Sequence, residues 1–267
     1  MAIASSASTG SASRWGTLWG ARPADWALSE DRQLPTYEAA LDRTGLESGW
    51  HVLDIGCGVG AFLRMVSERG AKPAGLDASE SLIAFARTRL GDADLRVGEM
   101  EHLPWEDDSF DLVTGFNSVF FADDIVAALR EAGRVGRAGA PVVIQVWGAH
   151  EHCDLEAMKR IARPFLPPRP ADAPPDPDLS EPGALETLAA EAGLAPESEF
   201  DVTWAIEYPD AETLGRALVA VAGLVVLAGP EREQELKRAF VDELAQYRTR
   251  DGRYVLSNQY RYVIARA

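Results

Sequence analysis

The sequence predicts an α/β fold on a doubly wound, mostly parallel sheet, and three observations carry that prediction. From residue 51 onward, short apolar runs alternate with amphipathic stretches at the spacing of successive βαβ units. Glycines 56, 58 and 60 follow the first apolar run directly, as suits a chain leaving a buried strand and turning sharply into a helix. Asp77 closes the second run, 19 residues after Gly58.

In order, residues 51–55 (HVLDI) read as the first strand, and 61–69 as a helix stopped by Gly70. Residues 73–76 make a second strand. Ser79 suits the N-cap of a helix running to Leu90, with Gly91 just past its end. Strands follow at 94–97, 110–115 and 141–147, with an amphipathic helix at 124–137 before the last of these. After Trp147 the rhythm breaks. Residues 163–182 hold eight of the sixteen prolines, which no regular helix or strand can span. Beyond them lie a short helix (185–192), a strand (200–208), two helices (211–228 and 231–248), a turn at 251–252, and a terminal strand (258–266, NQYRYVIAR) taken as antiparallel. The expected organisation is a flexible tail (1–13), an N-terminal helical lid (14–50), a ligand-binding core (51–150), a Pro-rich acidic cap or linker (151–199), and the last strands (200–267) with a helical insert at 211–248.

The 267 residues carry 42 acidic and 26 basic side chains, for a net charge of −16, with 46% hydrophobic content. That apolar fraction excludes global disorder. The charge argues against a nucleic-acid partner, because non-specific phosphate binding needs Lys and Arg to displace counterions. Residues 151–210 alone hold −10, which reads as a solvated acidic surface. Two cysteines, Cys57 and Cys153, imply no disulfide framework and fit a reducing compartment. Residues 1–13 lack both basic residues and an apolar core, unlike a signal peptide. The longest apolar run, 217–228, is short of the ~18–20 residues of a membrane span. A cytoplasmic protein with no membrane partner is therefore expected. The same run, apolar nearly all round, is read as core, pocket wall or the contact of a homodimer.

The chemistry concentrates in residues 52–60 (VLDIGCGVG). Gly56, Gly58 and Gly60, after a buried strand and opening a helix, let the backbone approach a ligand with no Cβ in the way, and Cys57 fills the turn as a small residue. Asp77, at the end of the second strand, suits a carboxylate accepting from both hydroxyls of a ribose. By spacing alone this fits a dinucleotide site, since Gly56-x-Gly58-x-x-Ala61 satisfies the looser fingerprint, and an NAD(P)-dependent oxidoreductase stands as an alternative. Asp54 argues against it. Two residues before the first glycine, it would repel a pyrophosphate and attract an ammonium or sulfonium. A second acidic cluster, Gly98-Glu99-Met100-Glu101, follows the third strand, where an adenine edge is read.

Residues 52–62, 75–79, 98–105 with 109–113, and 130–143 together resemble the class I S-adenosylmethionine (SAM)-dependent methyltransferases, close to the ubiquinone/menaquinone-biosynthesis type. The resemblance covers residues 50–147, and more loosely the Trp-rich N-terminal segment and the last strand. It implies a Rossmann-like sheet, SAM as cofactor with S-adenosylhomocysteine (SAH) as product, and methyl transfer to O, N or C of a small-molecule acceptor. It places Gly56, Cys57 and Gly58 along the methionine moiety with Asp54 near its amino group. It puts Asp77 on the ribose, Ala78 against the adenine, Glu99 on the adenine amine with the Met100 amide facing the ring, and Asn117 and Ser118 at the methionine end or the sulfonium face; Gly60 of the glycine turn and Glu101 of the acidic cluster are counted with these cofactor-binding residues. Two positions depart from the family. Glu99 stands where Asp is frequent, and Ala138-Gly139-Ala140 replaces the usual Pro-Gly-Gly before the fifth strand. A SAM-binding protein that carries out no transfer is the second alternative, because fold does not fix function.

Trp19 and Trp26 lie in a stretch resembling the helix that closes over the cofactor in this family, where an aromatic face attracts a sulfonium. For a general base, His150 and His152 follow the fifth strand at the carboxyl edge of the sheet, where open α/β sheets bind ligands. No metal is expected, since His-x-His-Cys lacks a fourth ligand.

Overall fold

The computed structural model describes residues 10–168 and 178–267. Strands β1 (His51–Ile55), β2 (Lys72–Asp77), β3 (Asp94–Val97), β4 (Leu112–Phe116), β5 (Pro141–Trp147), β6 (Ala195–Tyr208) and β7 (Tyr254–Arg266) form one sheet in the order β3-β2-β1-β4-β5-β7-β6. β1 to β5 run parallel, and β7 lies antiparallel between β5 and β6. The predicted class and the reversed C-terminal strand are both present. Every residue of β4, and all of β1 after His51, is buried, because helices cover both faces of a parallel sheet.

Helices α1 (Ser11–Trp19), α2 (Pro23–Glu30) and α3 (Leu34–Thr44) precede the sheet, and α4 (Ala61–Glu68), α5 (Glu80–Leu90) and α6 (Ile125–Val135) connect its parallel strands. Ser79 caps α5 as its sequence position predicts, accepting from the Leu82 amide at 3.2 Å. Asp124 caps α6 in the same way through Ala127, at 2.9 Å. One face of the sheet packs on α3, α4 and α5 through Tyr37, Phe62, Leu63, Val66 and Ile83. The other face packs on α6 and on α8 (Ala184–Glu191) through Leu129, Ala132, Val135, Leu185 and Ala189. Helices α7 (Ala157–Ala162), α9 (Ala211–Ala220), α10 (Leu224–Ala228) and α11 (Glu233–Glu243) enclose a third cluster at the far end of the β6–β7 ribbon, built on Ile206, Leu218, Leu236, Phe240 and Leu256.

Several boundaries differ from the sequence reading. The tail is shorter than predicted. Residues 11–13 already belong to α1, because the Glu99 carboxylate accepts from Ser11 Oγ (2.8 Å) and from the Ala12 amide and holds the helix start; residues 1–9 lie outside the described residues. The predicted cap over 151–199 divides. Its later part is no cap, since α8 packs against α6 beneath the sheet and residues 195–199 are already β6. The middle of the proline run, 169–177, lies outside the described residues. The fourth strand begins at Leu112, with Phe110 making a lone bridge to Gly136. The stretch Ala211–Ala228 has the length and apolar composition of a membrane-spanning helix. The chain breaks it at Ala222, which sits at φ 48°, and residues 217–220 are buried within the fold.

α3 is tied to the sheet by a buried polar group. Tyr262 Oη donates to the Thr36 carbonyl at 2.7 Å and accepts from Gln145 Nε2 at 2.6 Å. Tyr262→Phe removes both bonds and leaves Gln145 Nε2 only its longer bond to Thr36 Oγ1, 3.3 Å, so the substitution is expected to cost about 0.5–1.5 kcal/mol of stability, read as a lower urea midpoint at unchanged m-value.

Candidate active site

The strand order reverses between β1 and β4, and ligands of open α/β sheets bind at the carboxyl ends of the strands beside such a switch. A cavity of about 200 Å³ lies there, floored by Asp54, Gly56, Cys57, Gly58, Asp77 and Ala78. Trp15, Trp19, Trp26 and Glu30 of the N-terminal helices roof it, and Leu155, Met158, Leu218 and Val221 close its far end.

The turn after β1 builds the floor. Gly56 and Gly58 take φ of 78° and 54°, a region open to glycine at little cost. A Cβ at Gly56 would come within 2.3 Å of Ser118 Cβ, and one at Gly58 within 2.3 Å of a Glu30 carboxylate oxygen. Asp77 accepts from the Gly58 amide at 3.0 Å and the Ser79 amide at 2.8 Å, and burial pushes its pKa up to about 6. Asp54 accepts from Thr114 Oγ1 at 2.7 Å, and burial pushes its pKa well above the usual carboxylate range.

Glu30 was not singled out from the sequence. Its two oxygens accept from the Val59 amide (2.9 Å) and the Ala61 amide (2.8 Å) at the start of α4. Burial pushes its pKa up to about 7, against the opposing effect of those amides. The signal that could have found it is the Trp26–Glu30 spacing, i and i+4 on one helical face. Ser29, Gln33, Tyr37 and Tyr208 also reach the cavity unforeseen, brought there by tertiary packing.

Of the residues predicted for the cofactor, Trp19, Trp26, Asp54, Gly56, Cys57, Gly58, Asp77, Ala78, Met100, Asn117 and Ser118 all line this cavity. Trp19 and Trp26 meet edge to face, with ring centroids 4.8 Å apart. Glu99 lines a small adjoining hollow with Gly98, Met100, Ala78 and Asp77. Its carboxylate there also holds the start of α1. Asn117 sits at φ 49°, and its buried Oδ1 has no partner among the described residues.

Four positions do not meet the prediction. Gly60 lines no part of the cavity; a Cβ there would strike Leu90, so it serves the packing of α4 on α5. Glu101 is turned away, accepting from the Asp123 amide at 2.8 Å before α6. His150 lies at the surface between Glu156 and Asp178, 3.3 Å from each, and His152 is exposed. Neither histidine lines the cavity, so the general-base assignment is withdrawn. β5 ends at Trp147, and the following turn carries both rings outward.

Three carboxyl groups and, among the described residues, no Lys, Arg or His line the cavity. That set suits a ligand with cationic centres and a diol, and it opposes a pyrophosphate. The cradle that a Cβ would fill and the unpartnered Asn117 Oδ1 leave room and an acceptor for such a ligand, so the residues present fit SAM.

Comparison with known proteins agrees. Residues 53–144 match the family described as "Methyltransferase domain". A malonyl-[acyl-carrier protein] O-methyltransferase of Dechloromonas aromatica is 31% identical over 225 residues, covering 76% of this chain and 78% of that protein. The chain belongs to the class I SAM-dependent methyltransferases. A second protein of that name, from Serratia marcescens, is 26% identical over 231 residues, 84% of each chain. The [4+2]-cyclase SpnF superposes with a TM-score of 0.57 at 20% identity, covering 87% of this chain and 79% of its own, a likeness of fold alone. The enzyme uses SAM, and its acceptor is a small molecule. The closeness to the ubiquinone type in particular gains no specific support.

A SAM-dependent methyltransferase with these acids should bind its cofactor in a pH-dependent way. A cationic, hydroxyl-donating ligand prefers ionised carboxylates, whereas Asp77 and Glu30 pick up protons near pH 6 and 7 in the free protein. SAM affinity, measured by calorimetry, should be highest near pH 8 and fall as pH drops, by up to about tenfold per pH unit for each group protonated. Asp77→Asn should weaken SAM roughly 10–100-fold at pH 8.

Proposed function

We propose that this methyltransferase transfers the methyl group to an oxygen of an uncharged, largely apolar small molecule. The observation that carries this reading is the composition of the cavity beyond the glycine turn. Phe120, Trp147, Leu155, Met158, Ile206, Leu218, Val221 and Ala222 form its walls, and Ser29, Gln33, Asn117 and Tyr208 are its neutral polar groups. An anionic acceptor would be desolvated there without a partner, at several kcal/mol or more. The choice of oxygen follows the named O-methyltransferases among the relatives.

SAM supplies, when bound, a methyl group on a sulfonium, open to in-line displacement by a nucleophile. The protein's part is placement. The Gly56–Gly58 backbone and Asp77 fix one end of the site, the tryptophans of α1 and α2 present aromatic faces over it, and the α9–α10 segment walls in the acceptor. Holding the reactants in line supplies roughly 7–11 kcal/mol of barrier reduction. The Tyr208 hydroxyl, 3.0 Å from Ser29 Oγ, and Asn117 Oδ1 are the groups available to orient an acceptor hydroxyl, whose proton passes to solvent as its oxygen takes the methyl group and SAH is left. The reading takes no nucleic-acid or membrane partner and a cytoplasmic setting, in keeping with the −16 charge. A homodimer through 217–228 would have chiefly Val226 and Leu227 to offer, 46% and 37% exposed, because most of that run is spent within the chain.

Incubation with SAM and a panel of apolar alcohols, phenols and a malonyl thioester tests this by mass spectrometry. A +14 product from the neutral hydroxyl compounds is expected. Methylation of the malonyl thioester alone would overturn the neutral-acceptor reading, and SAM binding with no methylated product would favour a repurposed fold. Leu218→Trp should raise the acceptor KM while SAM affinity holds. His150→Ala and His152→Ala should leave kcat/KM within about twofold.

A further inference from the structure

We propose that Glu30 is a positioning and selectivity residue of this enzyme, a carboxylate carried by the lid that fills the amide cradle where a phosphate would otherwise sit and so joins lid closure to the binding of a cationic cofactor. The inference rests on the methyltransferase reading and assigns it a residue that lies outside the glycine motif and Asp77.

The start of a helix after a glycine turn is an anion site by construction, since its N–H groups have no partners within the helix. In this chain the Val59 and Ala61 amides are both taken by Glu30. The carboxylate belongs to the last residue of α2, which also carries Trp26 over the same cavity. The next residue, Asp31, makes a bidentate pair with Arg89 of α5, at 2.7 and 3.0 Å. The end of α2 is thus clamped to two helices of the cofactor-binding half. Gly58 is required beneath it, because a Cβ there would overlap a Glu30 oxygen.

The charge pattern around Glu30 decides what the filled cradle selects. Facing it are Trp26 from its own helix, Tyr37 from α3, Asp54 from β1, Cys57 in the turn, Asp77 at the end of β2 and Arg89 from α5. Arg89 is the one cation of that set, and Asp31 already engages it. A phosphate would meet three carboxyl groups and find its amides occupied. An ammonium or sulfonium would meet charges that it relieves. Because Glu30 reaches the cradle only when α2 lies over the cavity, a ligand that stabilises its ionised form also stabilises the closed lid.

Isothermal titration with SAM and with SAH, on the full chain across pH 5.5–8.5, tests this with Glu30→Gln and Glu30→Ala. E30Q keeps the size and one acceptor but loses the charge. It should bind SAM about tenfold more weakly at pH 8 and lose the part of the pH profile near 7, keeping the fall near 6 that belongs to Asp77. Glu30→Ala should lose at least as much, and added acetate should restore part of its affinity by refilling the cradle. E30Q affinity within about twofold of wild type with an unchanged pH profile would overturn the proposal, even if its thermal midpoint were lower. E30Q keeps the test open if Glu30→Ala does not fold. Wild type binding neither SAM nor SAH would instead defeat the methyltransferase reading itself.

Discussion

Where β1 ends and α4 begins, six consecutive N–H groups are turned out of the sheet under a roof that keeps water away, and each must find an acceptor. Gly56 and Cys57 donate to the Leu76 carbonyl, Gly58 to Asp77, Gly60 to the Cys57 carbonyl, and Val59 and Ala61 to Glu30. An amide left over would cost about 1–3 kcal/mol, so the turn holds its shape only with β2 beside it and α2 above it. That need links three segments far apart in the chain. It also explains why the functional site and the structural centre coincide: the groups that satisfy the turn are the groups that face the ligand.

Satisfying the turn with carboxylates has an electrostatic consequence. Asp54, Asp77 and Glu30 are buried together, and burial pushes each pKa upward. Without ligand the site reconciles burial with charge by taking up protons more readily than exposed carboxylates do, Asp77 near pH 6 and Glu30 near pH 7. A cationic cofactor relieves the same stress by supplying the missing positive charge. The cavity is thus arranged to prefer its ligand through a cost present in its absence, and the unpartnered Asn117 Oδ1, held at a positive φ, is a second such cost.

The parallel half of the fold and the floor of the site were legible because both are local. The strand periods, the Ser79 cap and the glycine spacing each declare themselves within a few residues, and Asp77 follows from the βα rhythm. The roof and the acceptor wall were not. Glu30 looks like any acid on an amphipathic helix until α2 is laid over α4. His150 and His152 looked promising because they follow β5, but the turn after Trp147 carries them to the surface. Glu101 differs from Glu99 by two positions, and that rotation sends one carboxylate to the α6 start and the other to the α1 start. The break at Ala222 was hidden for a related reason: twelve apolar residues carry no periodicity that could mark where a helix stops.

This division between local and long-range information bears on how far likeness to other proteins reaches. The matched family region, 53–144, includes Phe120 but ends before the other residues that wall the acceptor side. Those come from Trp147, 155–158 and 206–222, where packing sets the shape and no short motif is required. A fold shared with a cyclase therefore says little about the reacting partner, whereas the satisfied turn and its three acids constrain the cofactor closely. Substitutions in the acceptor wall can change what is methylated without disturbing a single hydrogen bond of the turn, because Leu218 belongs to a separate apolar cluster that meets the lid where α9 packs on α2 and meets the sheet through β6 and β7. The lid touches both sides of the cavity: α1 rests against the break beside Ala222, with Gly223 packed on Leu18, while α2 delivers Glu30 to the glycine turn.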